Sequence, residues 1–245
     1  MNNNKILINF FSLLISIIDY KNKKKIISFF KSRFKNQILN IIDVGAHKGE
    51  TIDLMIKNFK IDKIYSFEPN KTLFLLLKKK FKYKTKNIIL FNKALGDKKE
   101  VTKLNVMVDS SSSTINNIDE GSKYFKRKQK IFSFFFKSKK IIQEQQNIKV
   151  ERLSNIIKSQ KINHINLLKI DTEGYELNVL NGIDGEDYKK INFIYFEHHY
   201  DLMIKKKYKF SDINLFLNER NFLLKYKLKM NLRKSFEYIY ENTKK

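Results

Sequence analysis

INLLKIDTEGYELNVLNG, residues 165–182, is the stretch whose reading decides the fold. The run from Ile165 to Ile170 reads as a buried strand. It ends in an acidic turn, Asp171-Thr172-Glu173-Gly174, and passes directly into a helix from Tyr175 to Leu180. A strand whose carboxyl end breaks into such a turn lies at the ligand-binding edge of an open α/β sheet, because the crevice forms there. A second unit of the same kind, Ile41-Ile42-Asp43-Val44-Gly45-Ala46-His47-Lys48-Gly49-Glu50, lies upstream. Two such units suggest a nucleotide-like cofactor at one and chemistry beside the other.

Outward from these units, strands and helices alternate. Strands are expected at residues 40–44, 63–67, 88–94, 101–108, 147–151 and 191–197, and helices at 50–58, 71–81, 154–158 and 211–218. A terminal hairpin is expected over residues 226–232 and 237–240. Pro69 just before Lys71 is a helix-start signal. Alternation of this kind implies an α/β fold with a mainly parallel, doubly wound sheet; the terminal hairpin adds one antiparallel strand near the carboxyl end, and 101–108 is expected antiparallel to its neighbours or as a hairpin arm. Residues 116–146 break the pattern with aromatics and bases at no clean period, and read as a variable insertion that serves as a lid or substrate loop. The expected organisation is a helical extension over residues 1–36 and one domain over 37–245.

Composition narrows the function. With 245 residues and 42% hydrophobic content the chain can bury a core. There is no cysteine, which excludes a disulfide framework and thiolate metal sites and fits a reducing cytoplasm. The net charge is +25, yet only five of the 50 basic residues are arginine, the preferred residue for bidentate phosphate and base contacts. Lysine is spread throughout beside Ile and Asn, as a biased genome would produce, so no nucleic-acid partner is expected. The apolar run Ile6 to Ile18 is shorter than the roughly 18 to 20 residues that span a membrane. It is read as a helix packed on the domain or on a second copy in a homodimer. The alternative is a peripheral membrane contact helped by Lys21, Lys23, Lys24 and Lys25.

At the first acidic unit, Gly45 lets the chain turn sharply and a ligand approach the backbone, and Gly49 lets the helix pack close. The G-x-G-x-x-G dinucleotide pattern is absent, and Asp43 before the glycines would repel a pyrophosphate but suit a ligand with an amino group. About 20 residues further on, Glu68 ends the next strand, where a carboxylate can accept ribose hydroxyls. Ala94 ends the third strand, where a small residue can flank adenine. Together these describe S-adenosylmethionine.

Here the chain resembles the FkbM family of S-adenosylmethionine-dependent methyltransferases. Residues 42–49 are similar to its opening motif, Phe67-Glu68-Pro69 to its second, Ser111-Ser112-Ser113 to its serine run, and residues 167–176, LKIDTEGYE within them, to its L-K-I-D-x-E-G-x-E signature. The resemblance runs from about Ile41 to Glu197. It implies a class I Rossmann-like methyltransferase fold, S-adenosylmethionine as cofactor, and methylation of hydroxyl oxygens of sugars or natural products. Asp43, Gly45, Ala46, His47, Gly49, Glu50, Glu68, Pro69, Ala94, Ser111 and Asp171 are the expected cofactor residues. Thr172 and Tyr175 stand where the family often has valine and histidine, which weakens any mechanism with a base at 175.

Methyl transfer to a neutral alcohol calls for a general base. Asp171 and Glu173 on the signature turn, with His198 and His199 after the following strand, are the catalytic candidates. Glu197 and His198 are candidates for holding the acceptor. Duller roles stand beside these: Asp171 and Glu173 as helix caps, Glu176 pointing to solvent or a lysine, and the two histidines as packed or surface residues. No metal triad is evident, and metal-free chemistry is expected. Three functions remain open: an O-methyltransferase of a sugar, glycan or other small molecule; an RNA or protein methyltransferase; and a non-catalytic membrane- or partner-binding module on the same fold.

Overall fold

The computed structural model describes residues 21–84, 86–136, 141–231 and 233–244. The run Ile6 to Ile18 lies outside the described residues. The chain enters on a helix over residues 21–34 (α1). There follow β1 (Ile38–Val44), α2 (Glu50–Asn58), β2 (Lys60–Phe67), α3 (Lys71–Lys80), β3 (Ile88–Phe91), β4 (Ala94–Leu95) and β5 (Glu100–Met107). Then come α4 (Lys123–Phe136), β6 (Ile142–Glu151), α5 (Leu153–Ser159), β7 (Ile165–Ile170), α6 (Glu176–Asn181) and α7 (Gly185–Tyr188). The chain ends with β8 (Ile191–His199), α8 (Phe210–Asn218), β9 (Phe222–Lys229) and β10 (Ser235–Asn242).

Seven strands form one sheet in the order β3-β2-β1-β7-β8-β10-β9. All run parallel except β10, which is antiparallel to both β8 and β9. The fold is thus a doubly wound α/β architecture, with the one antiparallel strand of this sheet near the carboxyl end. Strand order reverses between β1 and β7, and a ligand crevice opens at such a switch point. The register there pairs Asp43 with Lys169 and Val44 with Ile170. The Asp171 N–H donates to the Val44 carbonyl at 2.9 Å, so the two acidic turns leave the sheet side by side.

Hydrophobic packing holds both faces. One face buries Ile42, Phe67, Leu168, Ile170, Ile194 and Phe196 under α5, α6 and α8. The other buries Ile41, Leu167, Phe193 and Ile239 under α1, α2 and α3. Helix α1 contributes Ile26, Ile27, Phe30 and Phe34, apolar positions three to four residues apart that line one helix face. Phe34 meets Phe193 edge-on at 5.4 Å, so the described part of the amino-terminal extension packs into the sheet's own core. Among the described residues no helix is long and apolar enough to cross a membrane.

Element boundaries differ from the sequence reading in several places. The third strand divides at Asn92-Lys93: β3 stays in the main sheet, while Ala94 and Leu95 pair with Val150 and Glu151 in a separate sheet of order β4-β6-β5. The Asn92 side chain donates to the Glu68 and Pro69 carbonyls (2.9 and 3.0 Å) and pins that break. Strand β6 begins at Ile142 because its Gln-rich half pairs with β5, so the insertion ends inside a ladder and contains α4. The hairpin strands are longer than their apolar segments for the same reason. Helix α7, a single turn, carried no period to read.

Candidate active site

The first turn is built by backbone constraint. Gly45 has φ +85°, and a Cβ there would lie 1.9 Å from the Asp171 carbonyl oxygen, so only glycine lets the two turns meet. The N–H groups of Gly45 and Ala46 both donate to the Phe67 carbonyl at 3.0 Å. His47 also has positive φ (49°), and its N–H donates to Glu68 Oε2 at 2.8 Å, while the Asn70 N–H donates to Oε1 at 2.8 Å. Glu68 is therefore fixed against the Gly45 turn. Its burial raises the carboxyl to about 7, against the lowering effect of those two N–H bonds. Asn70 caps α3 through Oδ1, accepting from Thr72 and Leu73 N–H. The His47 ring bridges Glu50 (3.3 Å) and the Ser110 hydroxyl (2.8 Å).

Asp43 stands at the floor of this turn, fully buried. Its Oδ2 accepts from the Ser66 hydroxyl at 3.4 Å, and among the described residues Oδ1 accepts no hydrogen bond. Pro69 sits in the loop after β2, and Ala94 is buried in the small sheet among Leu104, Val106, Ile148 and Val150. Ser111 is exposed and donates to Asp109 Oδ1 at 2.7 Å. The member of the serine run that reaches the cofactor turn is Ser110, one residue earlier.

The second turn gathers charge. Asp171 Oδ2 lies 3.1 Å from Lys169 Nζ. Burial would raise that carboxyl, but Lys169 first, with His199 and Arg233, holds it below the usual carboxylate range. Glu173 takes a left-handed backbone (φ 51°) ahead of Gly174, also left-handed at φ 92°. Its Oε2 lies 3.3 Å from His199 Nε2, whose other approaches are Glu197 Oε1 at 3.6 Å and, through Nδ1, Asp201 Oδ2 at 3.6 Å. Burial alone would lower the His199 pKa, but Glu173, Asp201 and Glu197 together push it up to about 10. Glu173 is raised to about 8, chiefly by burial, with the His199 charge opposing. The Ser235 hydroxyl donates to Glu197 Oε1 at 2.5 Å, and Arg233 stands 3.8 Å from the same oxygen.

The structure thus brings Asp171, Glu173, Glu197 and His199 together and leaves His198 apart. Neighbouring strand residues face opposite ways. His198 lies among Tyr200, Tyr208 and Phe210 at ring distances of 4.9 to 5.9 Å. Burial, Lys206 and His199 lower it to about 3, so it is a neutral ring in an aromatic cluster. Neither Asp171 nor Glu173 caps the following helix with its side chain. Glu176 corrects its solvent-facing expectation: it is fully buried, and accepts from Gly174 N–H (2.8 Å), the Thr172 hydroxyl (3.1 Å) and the Tyr208 hydroxyl (2.5 Å). It ties the acidic turn to the loop after β8. Among the described residues no three His, Asp or Glu side chains are placed to hold a metal ion.

A family model for the methyltransferase FkbM domain matches residues 43–224, from the first acidic turn to the start of β9. The chain belongs to the FkbM methyltransferase-domain family. S-adenosylmethionine is the cofactor this family implies. The residues fit it: a glycine-only approach at Gly45, a buried Asp43 oxygen without a donor among the described residues to suit an ammonium, and Glu68 just after β2 to accept hydroxyls.

A solved FkbM structure agrees in fold, and two further methyltransferase structures are similar at lower scores. The FkbM methyltransferase from Methylobacillus flagellatus KT is similar over 83% of this chain and 44% of its own, at 13% identity and a TM-score of 0.54. The FkbM chain described here therefore spans less than half the length of that protein. TrmK from M. capricolum, in complex with S-adenosyl-homocysteine, is similar over 88% of this chain and 68% of its own (12% identity, TM-score 0.46). Magnesium protoporphyrin IX methyltransferase from Synechocystis PCC 6803, with bound SAM, covers 92% of this chain and 79% of its own (9% identity, TM-score 0.46). No curated protein matches the chain.

Sequence reasoning missed Lys169, Asp201 and the role of Glu176. Lys169 and Glu176 lie within the FkbM signature itself, and a lysine amid a buried strand was a usable signal, since buried charge demands a partner. Asp201 gave none, for it reaches the site only through the loop after β8.

Proposed function

We propose that this chain methylates a hydroxyl oxygen of a sugar, a glycan or another small molecule, with S-adenosylmethionine as donor and Glu173 as general base. The observation that supports it most is the buried Glu173–His199 pair at 3.3 Å, at the ends of β7 and β8, beside the Gly45 turn. When bound, the donor supplies an electrophilic methyl carbon on a sulfonium.

The chain's own residues do the rest. Asp43 and Glu68 offer anionic oxygens to the ammonium and ribose ends. Asp171, held ionised by Lys169, adds a fixed negative charge beside the turn. Glu173, with its pKa near 8, takes the acceptor's proton on a carboxylate oxygen, and protonated His199 orients that carboxylate. Glu197 and Asp201 keep His199 charged. A neutral hydroxyl is a poor nucleophile and needs such a base, whose contribution is about 10²- to 10⁴-fold. Alignment of donor and acceptor adds up to ~7–11 kcal/mol in favourable models.

Titration calorimetry with S-adenosylmethionine and S-adenosyl-homocysteine tests the first half, and failure of both to bind ends the proposal. Release of S-adenosyl-homocysteine, followed at pH 8.5 with neutral glycosides, oligosaccharides and a tRNA pool, tests the second. Turnover with the sugar arms is expected, and turnover with tRNA alone would overturn the acceptor class.

A further inference from the structure

One buried lysine joins the two turns. Lys169 lies opposite Asp43 in the β1–β7 register, its side chain only 9% exposed. Its Nζ is 3.1 Å from Asp171 Oδ2 and 3.7 Å from Asp43 Oδ1. The shorter contact is a hydrogen-bonded ion pair. The longer is an ion pair beyond hydrogen-bond reach, which leaves Asp43 Oδ1 buried without a donor among the described residues. A buried oxygen left so is costly unless something else supplies the donor. Charge spans this gap asymmetrically: the lysine is bound to the reaction side and only close to the cofactor side.

We propose that Lys169 is a positioning residue for the donor, holding Asp43 as an anion while leaving its Oδ1 uncommitted for the donor's ammonium. The inference rests on the methyltransferase reading and deepens it. Around Asp43 stand Lys169 from β7, Asp171 just after β7, Ser66 from β2, Glu68 just after β2, and Glu50 from α2. Lys169 also faces Glu197 of β8 and Glu237 of β10. Burial raises the Asp43 carboxyl, and Lys169 is the strongest influence opposing that rise. Lys169 itself would be lowered by burial, but Asp171 and Asp43 keep it above its ordinary value. Removing the lysine therefore moves Asp43 further up, so that less of it is ionised at a given pH and a cationic donor binds more weakly on the acid side.

The experiment is calorimetric titration of the full chain with S-adenosylmethionine between pH 5.5 and 9, on the unsubstituted protein and on K169M, K169R and D171N. Affinities are taken as ratios to the unsubstituted protein at each pH, which cancels the donor's own titration. In K169M the acid limb of binding is expected to move up by a pH unit or more, about a tenfold loss below the limb, with recovery towards pH 9. K169R is expected to keep the original limb. A K169M loss that is uniform in pH, or no loss, would overturn the proposal in favour of a merely structural lysine. Should K169M fail to fold, D171N decides: it removes a neighbouring negative charge and frees Lys169 for Asp43, so its limb moves down, and a limb that stays or rises overturns the idea. If the unsubstituted protein binds no donor at any pH, the cofactor reading fails instead.

Discussion

The two acidic turns lie side by side, yet they are made in opposite ways. At the Asp43–Gly45 turn, geometry comes from backbone: left-handed glycines, N–H groups on Phe67 and Glu68, and a contact where no Cβ fits. At the Asp171–Glu173 turn it comes from side chains of β7, β8 and the segments after them, whose carboxylates, lysine and histidine set one another's charge. The first turn is a shape and tolerates little change in volume. The second is a balance and tolerates little change in charge. A cofactor of fixed form suits the former, and proton transfer suits the latter.

The sharpest way to break this contrast is Gly45→Ala. The added Cβ would overlap the Asp171 carbonyl and force a left-handed backbone on alanine, a conformation costing about 1–2 kcal/mol before any steric clash. A total loss above about 3 kcal/mol is expected, read by chemical denaturation, together with loss of donor binding by calorimetry. Unchanged stability with full affinity would show that the turns do not pack as described.

Glu173→Gln tests the other side. It keeps volume and removes the base, so the expected loss in turnover is about 10²- to 10⁴-fold, with donor affinity changed no more than about threefold. If affinity collapses alongside turnover, Glu173 belongs to the cofactor site and the division between the turns is wrong.

The same contrast explains what could be read from sequence. Asp43, Gly45, Gly49 and Glu68 lie within two short strand ends, so local spacing was enough to assign them a shared site. The strand and helix alternation likewise carried the parallel part of the main sheet, and the terminal hairpin its antiparallel strand β10. His199, with Asp201 behind it, approaches Glu173 only because β8 lies beside β7, a neighbour relation that no local period encodes. His198 and His199 are equivalent as adjacent letters, and the pleat decides between them. Glu176 looked like a surface residue of a helix, but the loop after β8 returns to cover it with Tyr208.

His199→Gln sharpens the comparison through pH. In the unsubstituted protein Glu173 must be ionised to accept a proton, so kcat/KM is expected to rise with pH up to about 8, with His199 charged until about 10. The His199 cation lowers the Glu173 pKa, so its removal raises that pKa and moves the acid limb to higher pH by a unit or more. At pH 7 this alone is about a tenfold loss. A limb that stays in place, or moves down, would separate the histidine from the base.

The smallest effect is expected at the neighbouring histidine. His198 is lowered to about 3 by burial and by Lys206 and His199, so it is neutral throughout the working range and has no proton to lose there. Its ring packs against Tyr200, Tyr208 and Phe210, and its Nδ1 has no hydrogen-bond partner among the described residues. His198→Phe fills the same aromatic site and removes that buried polar atom. A stability change within about 1.5 kcal/mol is expected, as for a near-isosteric core exchange, with kcat/KM within about threefold and an unmoved pH profile. Because β8 alternates, the two histidines form a matched pair: the same residue type, one position apart, on opposite faces of one strand. If His198→Phe shifted the acid limb as His199→Gln is expected to, the chemistry would lie on the aromatic face, and the charge balance around Glu173 would be structural.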